Sequence, residues 1–285
     1  MKSAVSPPVF PNFQLINCRG RLVDFSEPKI MGILNVTPDS FSDGGKFNSE
    51  KNALLRAEKM ISEGAAIIDI GPQSTRPKAE LLTAKEEISR LNGIISQIKK
   101  RIPETLISLD TFYSETVKYG FDEGIDIIND ISGGMYDEKM FKTAAHTDLP
   151  YILMHVNPTY ESMHEQKVPN DILLSLNYYF SEKVEKLRSL GVKDIILDPG
   201  FGFGKSVAQQ HQLLDELQHI SFSVFPLLVG ISRKSFIYKP LGKQPLDITE
   251  ETQKLHLKAL KNGAKILRVH DVAETKKTID FFRNN

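Results

Sequence analysis

Eight short apolar runs alternate with segments of helical periodicity along this chain, and this alternation constrains the fold more than any other feature. The runs have the length of strands and are rich in Ile, Val and Leu, as buried parallel strands are. Strict alternation of strands and helices predicts a parallel sheet. The eight predicted strands are Ile30–Asn35, Ala66–Ile70, Thr105–Asp110, Asp126–Asn129, Tyr151–His155, Asp194–Asp198, Pro226–Gly230 and Ile266–Val269. The clearest predicted helices are Lys51–Glu63, Ala84–Lys100, Ile172–Leu190, Val207–His219 and Glu250–Asn262.

Glycines mark the points where several helical segments end. Gly64, Gly124, Gly191 and Gly263 each close such a segment, and an apolar run follows each of them within a few residues. Glycine suits the left-handed position just past a helix, where other residues meet a steric penalty from Cβ. The repeat is therefore helix, glycine, strand.

A parallel sheet of eight strands can stay open, as a doubly wound sheet, or close into a barrel. The number of strands and the length of 285 residues favour the closed α/β form, a (β/α)8 TIM barrel. Two short apolar stretches, Phe13–Ile16 and Leu22–Phe25, flank a turn and predict an N-terminal β-hairpin, which we expect to cap the N-terminal end of the barrel. We therefore predict a single domain over residues 1–285, with a hairpin extension at 1–29 and the barrel at 30–285.

Charge and composition exclude several classes of protein. The 36 basic residues equal the 36 acidic ones, which argues against a nucleic-acid-binding protein that relies on a broad basic field. The one cysteine, Cys18, lies in the predicted turn and excludes an intramolecular disulfide framework. No apolar run approaches the roughly 18 residues of a membrane span, and no signal peptide is visible. We expect a soluble, cytoplasmic protein.

Polar side chains stand at the end of every predicted strand. In a (β/α)8 barrel these carboxyl ends converge on one mouth, where the active sites of this fold lie. The residues at the strand ends are Asn35, Asp69, Asp110, Asn129 with Asp130, His155, Asp198, Ser232 to Lys234, and Arg268 to Asp271. We therefore expect a binding site at the mouth.

The side chains at the mouth suggest the chemistry of its ligand. Aspartate and asparagine offer acceptors and donors that match the edge of a nitrogen-rich ring. The cationic candidates suit phosphate or carboxylate oxygens. These candidates are Arg76, Arg233, Lys234, Arg268 and His270. The residues thus predict a site for a flat, nitrogen-rich group together with an anionic group.

Two connections are longer than usual for this fold. Val36 to Asn48 and Gly71 to Leu82 carry Pro, Gly, hydroxyl and charged residues, a composition typical of a mobile lid. A third connection, Pro199 to Ser206, is rich in glycine but has Pro199 where a phosphate-binding P-loop needs its first glycine. The spacing of histidines disfavours a transition-metal site, whereas Mg²⁺ held by an oxygen ligand and a substrate phosphate fits the sequence.

Seven segments, in order along the chain, resemble the signature motifs of the dihydropteroate synthase family. The segments are Met31–Gly45, Ser74–Pro77, Ser108–Thr111, Ile128–Gly134, Asp198–Lys205, Ser232–Ser235 and Arg268–Val272. The resemblance implies a folate-pathway transferase that joins p-aminobenzoate to (7,8-dihydropterin-6-yl)methyl diphosphate, giving 7,8-dihydropteroate and pyrophosphate. It also implies small-molecule substrates, a homodimer and sensitivity to sulfonamides, with no nucleic acid or membrane as partner.

The resemblance assigns roles to individual residues. The implied catalytic residues are Asp110, Lys234, Arg268 and His270, and Asn35 is the implied ligand of Mg²⁺, the implied cofactor. The implied pterin-binding residues are Asp110, Asn129, Asp198 and Lys234, with Met154 nearby. Arg268 and His270 would bind the diphosphate, and Thr75, Arg76 and Ser232 would order the p-aminobenzoate site. Phe203 and Val269, within the same motifs, complete the implied substrate-binding set.

Two departures from the family pattern bear on the second and fifth connections. Pro72 and Gln73 stand where the family more often has Gly and Glu, and the segment 156–167 is long and polar. Two other interpretations stay open: the pterin-binding barrel of a cobalamin-dependent methyltransferase, and a non-catalytic paralogue that binds pterin. The long first connection and the motifs around Lys234 and Arg268 favour the synthase over the methyltransferase barrel, which binds no diphosphate. A non-catalytic paralogue would be expected to lose Asn35, Lys234, Arg268 or His270, and all four are present.

Overall fold

The computed structural model describes residues 14–37, 45–73, 80–156, 162 and 171–285, with only the backbone described at 45–49 and 221–223. Eight parallel strands close into a barrel, because the last strand pairs with the first. The prediction of a closed (β/α)8 barrel is therefore confirmed, and the open doubly wound sheet is excluded. The barrel strands are β3 (Lys29–Asn35), β4 (Ile67–Gly71), β5 (Leu106–Asp110), β6 (Ile127–Asp130), β7 (Tyr151–Met154), β8 (Ile195–Asp198), β9 (Leu227–Val229) and β10 (Ala264–Val269).

Helices follow the strands around the outside of the barrel. They are α1 (Gly45–Ser62), α2 (Ala84–Leu91), α3 (Ile94–Arg101), α4 (Ser114–Glu123), α5 (Met140–Thr147), α6 (Ile172–Ser189), α7 (Val207–Asp215), α8 (Ser235–Tyr238), α9 (Thr249–Lys261) and α10 (Val272–Asn284), with a 3₁₀ helix at Leu217–Ser223. None of the described helices is long and apolar enough to span a membrane.

Glycine ends the helices as the sequence predicts. Gly64, Gly124, Gly191 and Gly263 all have positive φ, between +100° and +106°. In this left-handed conformation the chain leaves the helix and turns toward the next strand. These four residues therefore set where four of the barrel strands can begin.

Three predicted boundaries are wrong. The helix predicted at 84–100 is divided, because Asn92 and Gly93 both adopt positive φ and end α2 before α3 begins. The connection predicted at 36–48 is shorter, since α1 already begins at Gly45. The helix predicted to reach His219 ends at Asp215 and continues as the 3₁₀ helix.

The N-terminal hairpin closes one end of the barrel, as expected. Its strands are β1 (Leu15–Cys18) and β2 (Arg21–Asp24), joined by a turn in which Arg19 and Gly20 have positive φ. The apolar face of the hairpin packs against the first inward-facing residues of the barrel strands. This cluster contains Ile16, Cys18, Val23 and Phe25 from the hairpin and Met31, Ile67, Leu106, Ile127, Ile152, Ile196, Leu228 and Ile266 from the barrel. Among the described residues, the hairpin thus covers this end of the barrel, and the site expected at the carboxyl ends of the strands lies at the opposite end.

Cys18 does not lie in the turn, as the sequence suggested, but ends β1. Its side chain is buried in the hairpin cluster. Burial, followed by the nearby acidic residues, raises the pKa of its thiol to about 12. The thiol is therefore protonated and unreactive at neutral pH.

Alternation along each strand separates two apolar layers. In β10, Leu267 and Val269 face the outer helices, whereas Ile266 faces the barrel interior, and Arg268 shares its side of the strand. The same period of two runs through β4, where Ile67 points inward and Ile68 outward. Polar residues two positions after an inward-facing apolar residue are thereby brought to the mouth.

Candidate active site

An ion cluster lies at the centre of the mouth. Arg268, on β10, donates from Nε to Asp69 Oδ2 and from its terminal nitrogen to Asp110 Oδ2, both at 2.6 Å. Asn129 donates from Nδ2 to both oxygens of Asp69, at 3.2 and 3.3 Å. These four side chains come from β4, β5, β6 and β10, so the closed barrel is what assembles them.

Burial and charge act in opposite directions on this cluster. Burial disfavours the charge on Arg268, but Asp69 and Asp110 outweigh it and raise its pKa above the ordinary value. Burial raises the pKa of Asp110 to about 7, Arg268 lowers it, and the neighbouring carboxylate of Asp69 raises it further. Arg268 is therefore a permanent cation, while Asp110 can exchange a proton near neutral pH.

A second group of residues lies at the end of β8. Asp198 is 7% exposed and accepts a hydrogen bond from the amide of Gly200 at 2.7 Å. Burial raises its pKa, while the Gly200 amide and then Lys234 and Arg268 lower it. Lys234 places its Nζ 4.5 Å from the centre of the Phe203 ring, a cation–π contact. Burial, together with the charge of Arg268, lowers the pKa of Lys234 to about 8.

An apolar wall flanks these polar groups. Its buried members are Phe112, Ile131, Met154, Val156 and Phe203. Carboxylate acceptors on one side and an apolar wall on the other suit a flat heterocycle with polar edges. The mouth therefore has the features that the sequence predicted for a nitrogen-rich ring.

The third group lies where β9 and β10 end. Ser232 Oγ is 3.1 Å from Nδ1 of His270 and accepts a hydrogen bond from its backbone amide at 3.3 Å. Arg56, on α1, donates to the carbonyl oxygen of His270 at 3.0 Å. Burial, with Arg233 and Arg268 nearby, lowers the pKa of His270 to about 3. His270 is therefore a neutral hydrogen-bonding group at physiological pH and not one of the cations that the sequence suggested.

Arg233, another of the predicted anion-binding residues, is paired with an acidic side chain in the structure. It forms an ion pair with Asp271 at 2.7 Å, and both side chains are about one third exposed. Arg233 has a φ of +58°, a left-handed conformation that is uncommon for residues other than glycine. The ion pair thereby connects the segments that follow β9 and β10.

Asn35 ends β3 next to the ion cluster. A Cβ atom placed on Gly71 would lie 3.4 Å from Asn35 Oδ1 and 3.7 Å from Asp110 Oδ2, so both oxygens line the same part of the mouth. Within the described ranges, no three His, Cys, Asp or Glu side chains are grouped so that they could hold a metal ion. The donor set therefore fits a magnesium ion that arrives with a diphosphate, with Asn35 as a single oxygen ligand, since Mg²⁺ commonly binds one or two protein oxygens, water and substrate phosphates.

The family described as pterin binding enzymes matches residues 31–270. A dihydropteroate synthase of Synechocystis sp. is 43% identical over 246 residues, which cover 85% of each chain. The structure of the Yersinia pestis dihydropteroate synthase with a sulfonamide drug superposes with a TM-score of 0.88 at 36% identity, covering 95% of this chain and 98% of that one. The structure of the Xanthomonas albilineans dihydropteroate synthase with 4-aminobenzoic acid superposes with a TM-score of 0.87 at 32% identity, covering 95% of this chain and 97% of that one.

The chain belongs to the dihydropteroate synthase family. The predictions of this family, of its barrel and of a transferase are confirmed, because the relatives named above match over most of both chains. These relatives are synthases, whereas the sequence had also left open a methyltransferase barrel and a non-catalytic paralogue.

Most residues that the family resemblance assigned lie together in the described structure. Asp110, Asn129, Asp198, Lys234 and Arg268 surround the mouth through the contacts given above. Met154 and Phe203 lie in the apolar wall, and Ser232 contacts His270. Val269 is different: its side chain is fully buried among the helices, so only its backbone can contribute to a site in the mouth. Thr75 and Arg76 lie outside the described residues, as does most of the segment 156–167.

Two of the strand-end residues face away from the mouth. Asp130 accepts hydrogen bonds from the hydroxyl of Tyr151 and from the backbone amides of Ser132 and Gly134, and these bonds shape the turn after β6. The His155 ring packs edge-on against Tyr179 of α6. Each directly follows an inward-facing residue, Asn129 or Met154, so the strand period of two turns it outward. The expectation that all the strand-end residues line the mouth is therefore wrong for these two.

Three residues near the site were missed as functional candidates. Asp69, fully buried, holds Arg268, although the sequence identified it only as a strand end. Glu87, on α2, is also fully buried and accepts the hydroxyl of Thr111 at 2.5 Å. Lys205 is 5% exposed behind the loop that follows β8. Asp69 could have been identified because it lies two residues after Ile67, which faces the barrel interior. Glu87 and Lys205 lie outside the strands, so the alternation along a strand does not identify them.

Gln73, one of the departures from the family pattern, has a structural role. It is 5% exposed, donates to the carbonyl oxygen of Glu80 at 3.0 Å and accepts the amide of Leu82 at 2.9 Å. Both bonds cross the second connection and join its two ends. Glutamate at this position could accept from Leu82 but could not donate to Glu80 while ionised.

Proposed function

We propose that this chain condenses p-aminobenzoate with (7,8-dihydropterin-6-yl)methyl diphosphate at the mouth of the barrel. The C–O bond to the diphosphate breaks, a C–N bond to the arylamine forms, and the amine releases a proton. The observation that carries the proposal is that one mouth holds both Asp198 and Asn129, which can bind the polar edge of a ring, and the cations Lys234 and Arg268. A pterin diphosphate has both a ring with a polar edge and an anionic group.

The pterin ring is assigned to the Asp198 side of the mouth. A carboxylate matches the donors of an aminopyrimidine edge. Burial raises the pKa of Asp198, and the hydrogen bond from the Gly200 amide, followed by the charge of Lys234, lowers it. Asn129 and Asp110 supply further polar contacts, while the apolar wall with Met154 covers a ring face. This assignment leaves Arg268 for the diphosphate attached to the ring's methylene group.

The diphosphate is assigned to Arg268 and His270. Negative charge develops on the leaving oxygens as the C–O bond breaks, and a fixed cation in a site with little water stabilises that charge strongly. Arg268 is oriented before substrate arrives, because Asp69 and Asp110 fix its guanidinium group. His270, being neutral, adds a hydrogen bond rather than a charge. An arylamine is nucleophilic at neutral pH, so positioning and stabilisation of the leaving group provide the catalysis.

Asn35 would hold Mg²⁺ together with the substrate phosphates. When bound, this ion would supply Lewis-acid stabilisation to the leaving diphosphate. The amide oxygen of Asn35, beside Gly71 at the end of the neighbouring strand, is the protein's own contribution.

The p-aminobenzoate is assigned to Ser232, Thr75 and Arg76. The support for this substrate is the related Xanthomonas albilineans enzyme solved with 4-aminobenzoic acid. The related Yersinia pestis enzyme solved with a sulfonamide drug supports sulfonamides as inhibitors. The homodimer and the cytoplasmic location stay predictions of the family resemblance; light scattering on the purified protein tests the first.

The test of the proposal is pyrophosphate release by the purified chain with the pterin diphosphate and Mg²⁺, with and without p-aminobenzoate. We expect release coupled one-to-one to dihydropteroate. Tight binding of the pterin diphosphate with no product would instead indicate a pterin-binding protein.

Arg268→Gln tests the assignment of the leaving group. It should lower kcat/KM at least about 100-fold, since removal of one donor to a developing oxyanion costs roughly that much. Arg101→Gln, which removes an ion pair with Glu58 on the outside of the barrel, is the control and should leave kcat/KM unchanged. A change of less than twofold for Arg268→Gln would overturn the assignment.

A further inference from the structure

Lys205 places a cation in the interior of the loop that follows β8. Its Nζ donates to the carbonyl oxygens of Gly200 at 2.8 Å, Phe203 at 3.1 Å and His155 at 3.4 Å. The residue is only 5% exposed. All three N–H groups of the ammonium are directed at backbone carbonyls, so Lys205 is not a phosphate ligand of the P-loop kind.

The loop after β8, whose carbonyl oxygens Lys205 contacts, also carries groups that line the mouth. Gly200 donates its amide to Asp198, and Phe203 contributes its ring to the apolar wall and to the contact with Lys234. Gly200 and Gly202 both have positive φ. A Cβ on Gly200 would lie 2.0 Å from the carbonyl oxygen of His155, so the loops after β7 and β8 approach each other at backbone distance. The ammonium of Lys205 lies where these two loops meet.

We propose that Lys205 is a positioning residue that fixes the loop after β8, so that Asp198 and Phe203 are oriented for the pterin. This inference rests on the proposed function, since it assigns Lys205 to the same pterin site. The contact with His155 joins this loop to the end of β7, where Met154 belongs to the apolar wall. Lys205 thus sets the position of the Asp198 carboxylate, which would bind the edge of the ring, relative to the apolar wall, which would cover its face.

The charge of Lys205 is part of this role. An ammonium has three donors for three carbonyls, whereas a neutral amine has two and would direct a lone pair at the third. Burial lowers the pKa of Lys205 to about 7; Asp198 raises it and Lys234 lowers it. His155, also facing Lys205, is neutral because burial holds its pKa well below the usual range. Loss of the proton as the pH rises above 7 should therefore loosen the loop.

The experiment compares Lys205→Met and Lys205→Arg with the wild-type chain. Calorimetry measures binding of the pterin diphosphate, and steady-state kinetics measures KM for each substrate and kcat. Lys205→Met should weaken binding of the pterin diphosphate about tenfold or more, with the KM for p-aminobenzoate and kcat changed less than threefold. Lys205→Arg, which keeps the charge and its donors, should restore binding to within about threefold.

Lys99→Met is the matched control. Lys99 also donates to a carbonyl, that of Thr105 at 2.9 Å, and forms an ion pair with Asp126 at 2.5 Å, but it lies near the hairpin end of the barrel. It should destabilise the fold without changing pterin binding. A merely structural role for Lys205 would make Lys205→Met behave like Lys99→Met, and that result would overturn the proposal.

A second measurement applies even if Lys205→Met does not fold. Amide-exchange protection of residues 200–205 in the wild-type chain should fall between pH 7 and 9, while protection in the other βα loops does not. Unchanged protection at pH 9 would overturn the proposal. Binding and exchange need no turnover, so a wild-type chain that binds the pterin diphosphate and makes no product would refute the proposed function while still testing Lys205.

Discussion

Replacing Asp69 by asparagine removes one of the two carboxylates that hold Arg268 in the mouth. Asparagine keeps the size of the side chain and can still accept a hydrogen bond, so the change is mainly one of charge. Arg268 would lose the negative charge of the acceptor that its Nε contacts at 2.6 Å and keep its ion pair with Asp110. Asn129 would lose its ionised acceptor at the same time.

The size of the effect follows from these contacts. Breaking a buried ion pair by removing one partner costs about 3–5 kcal/mol when the remaining charge is left alone. Asp110 still neutralises Arg268, so we expect about 2–3 kcal/mol, the range of a hydrogen bond to a charged group. With about 2.1 cal/mol/K per residue, the 285 residues give an unfolding entropy of about 0.6 kcal/mol/K, and Tm should fall by about 4 °C.

Activity should fall further than stability alone explains. Arg268 would have a charged partner on one side only and would shift toward Asp110, and a misplacement of about 1 Å can cost roughly 100-fold in rate. We expect kcat/KM for the pterin diphosphate to fall about 10- to 100-fold for Asp69→Asn. The assays are thermal unfolding and, in the same buffer, initial rates of pyrophosphate release at a fixed temperature.

Asp126→Asn is the matched control for this change. Asp126 is also a buried carboxylate, bound to Lys99 at 2.5 Å and to the amide of Ile107 at 2.7 Å, but near the hairpin end of the barrel. It should lower Tm by a similar amount and leave kcat/KM within about twofold, since sites this far apart act independently. Equal losses of activity in the two variants, or an unchanged Asp69→Asn enzyme, would refute the account of the ion cluster.

Two further predictions concern the surroundings of the site. Burial raises the pKa of Glu87 from 4.5 to about 7, so the folded chain keeps a proton that the unfolded chain releases, and stability should fall as the pH rises from about 4.5 to 7. Glu87→Gln should reduce that fall by about 1 kcal/mol or more in urea titrations at pH 5 and 8, and an identical pH dependence would contradict the assignment. Gly200→Ala should destabilise the fold more than Gly191→Ala: both have positive φ, but a Cβ on Gly200 meets a carbonyl oxygen at 2.0 Å whereas Gly191 has nothing within 4 Å. In urea unfolding, the free energy of unfolding of Gly200→Ala should be lower than that of Gly191→Ala by at least about 1–2 kcal/mol. Only Gly200→Ala should lose pterin binding. Equal stabilities of the two variants would contradict the close approach of the two loops.

The fold was predictable because its signals are local. The glycines at 64, 124, 191 and 263 and the apolar runs after them depend only on neighbouring residues, and the structure has both where the sequence places them. The division of the helix at Asn92 was harder to foresee, since the apolar period continues on both sides of it. A left-handed Asn–Gly pair can end a helix, but only the backbone conformation shows that it does.

The sequence was sufficient to place the site at the ends of the strands. It was not sufficient to predict how the side chains there are oriented, charged and paired. Strand parity, if applied, separates Asp69 and Asp110, which face inward, from Asp130, which faces the helices. The neutral state of His270 could not be predicted, because it arises from burial beside cations contributed by other strands. The role of Lys205 could not be predicted, although the residue ends the motif Asp198–Lys205, since its partners are backbone carbonyls that sequence does not reveal.

The position of Arg268 on the last strand has a consequence for how the chain folds as it is synthesised. Asp69 and Asp110 leave the ribosome long before the strand that carries the cation contacting them. The closing strand pairs with β3 on one side and β9 on the other, and the same docking step delivers Arg268 to both carboxylates. A chain that stops before residue 264 would therefore lack both the hydrogen bonds that close the barrel and the charge that neutralises its mouth. Closure of the barrel and assembly of the ion cluster therefore occur in one step, so a chain truncated before this strand should be unfolded rather than folded but inactive.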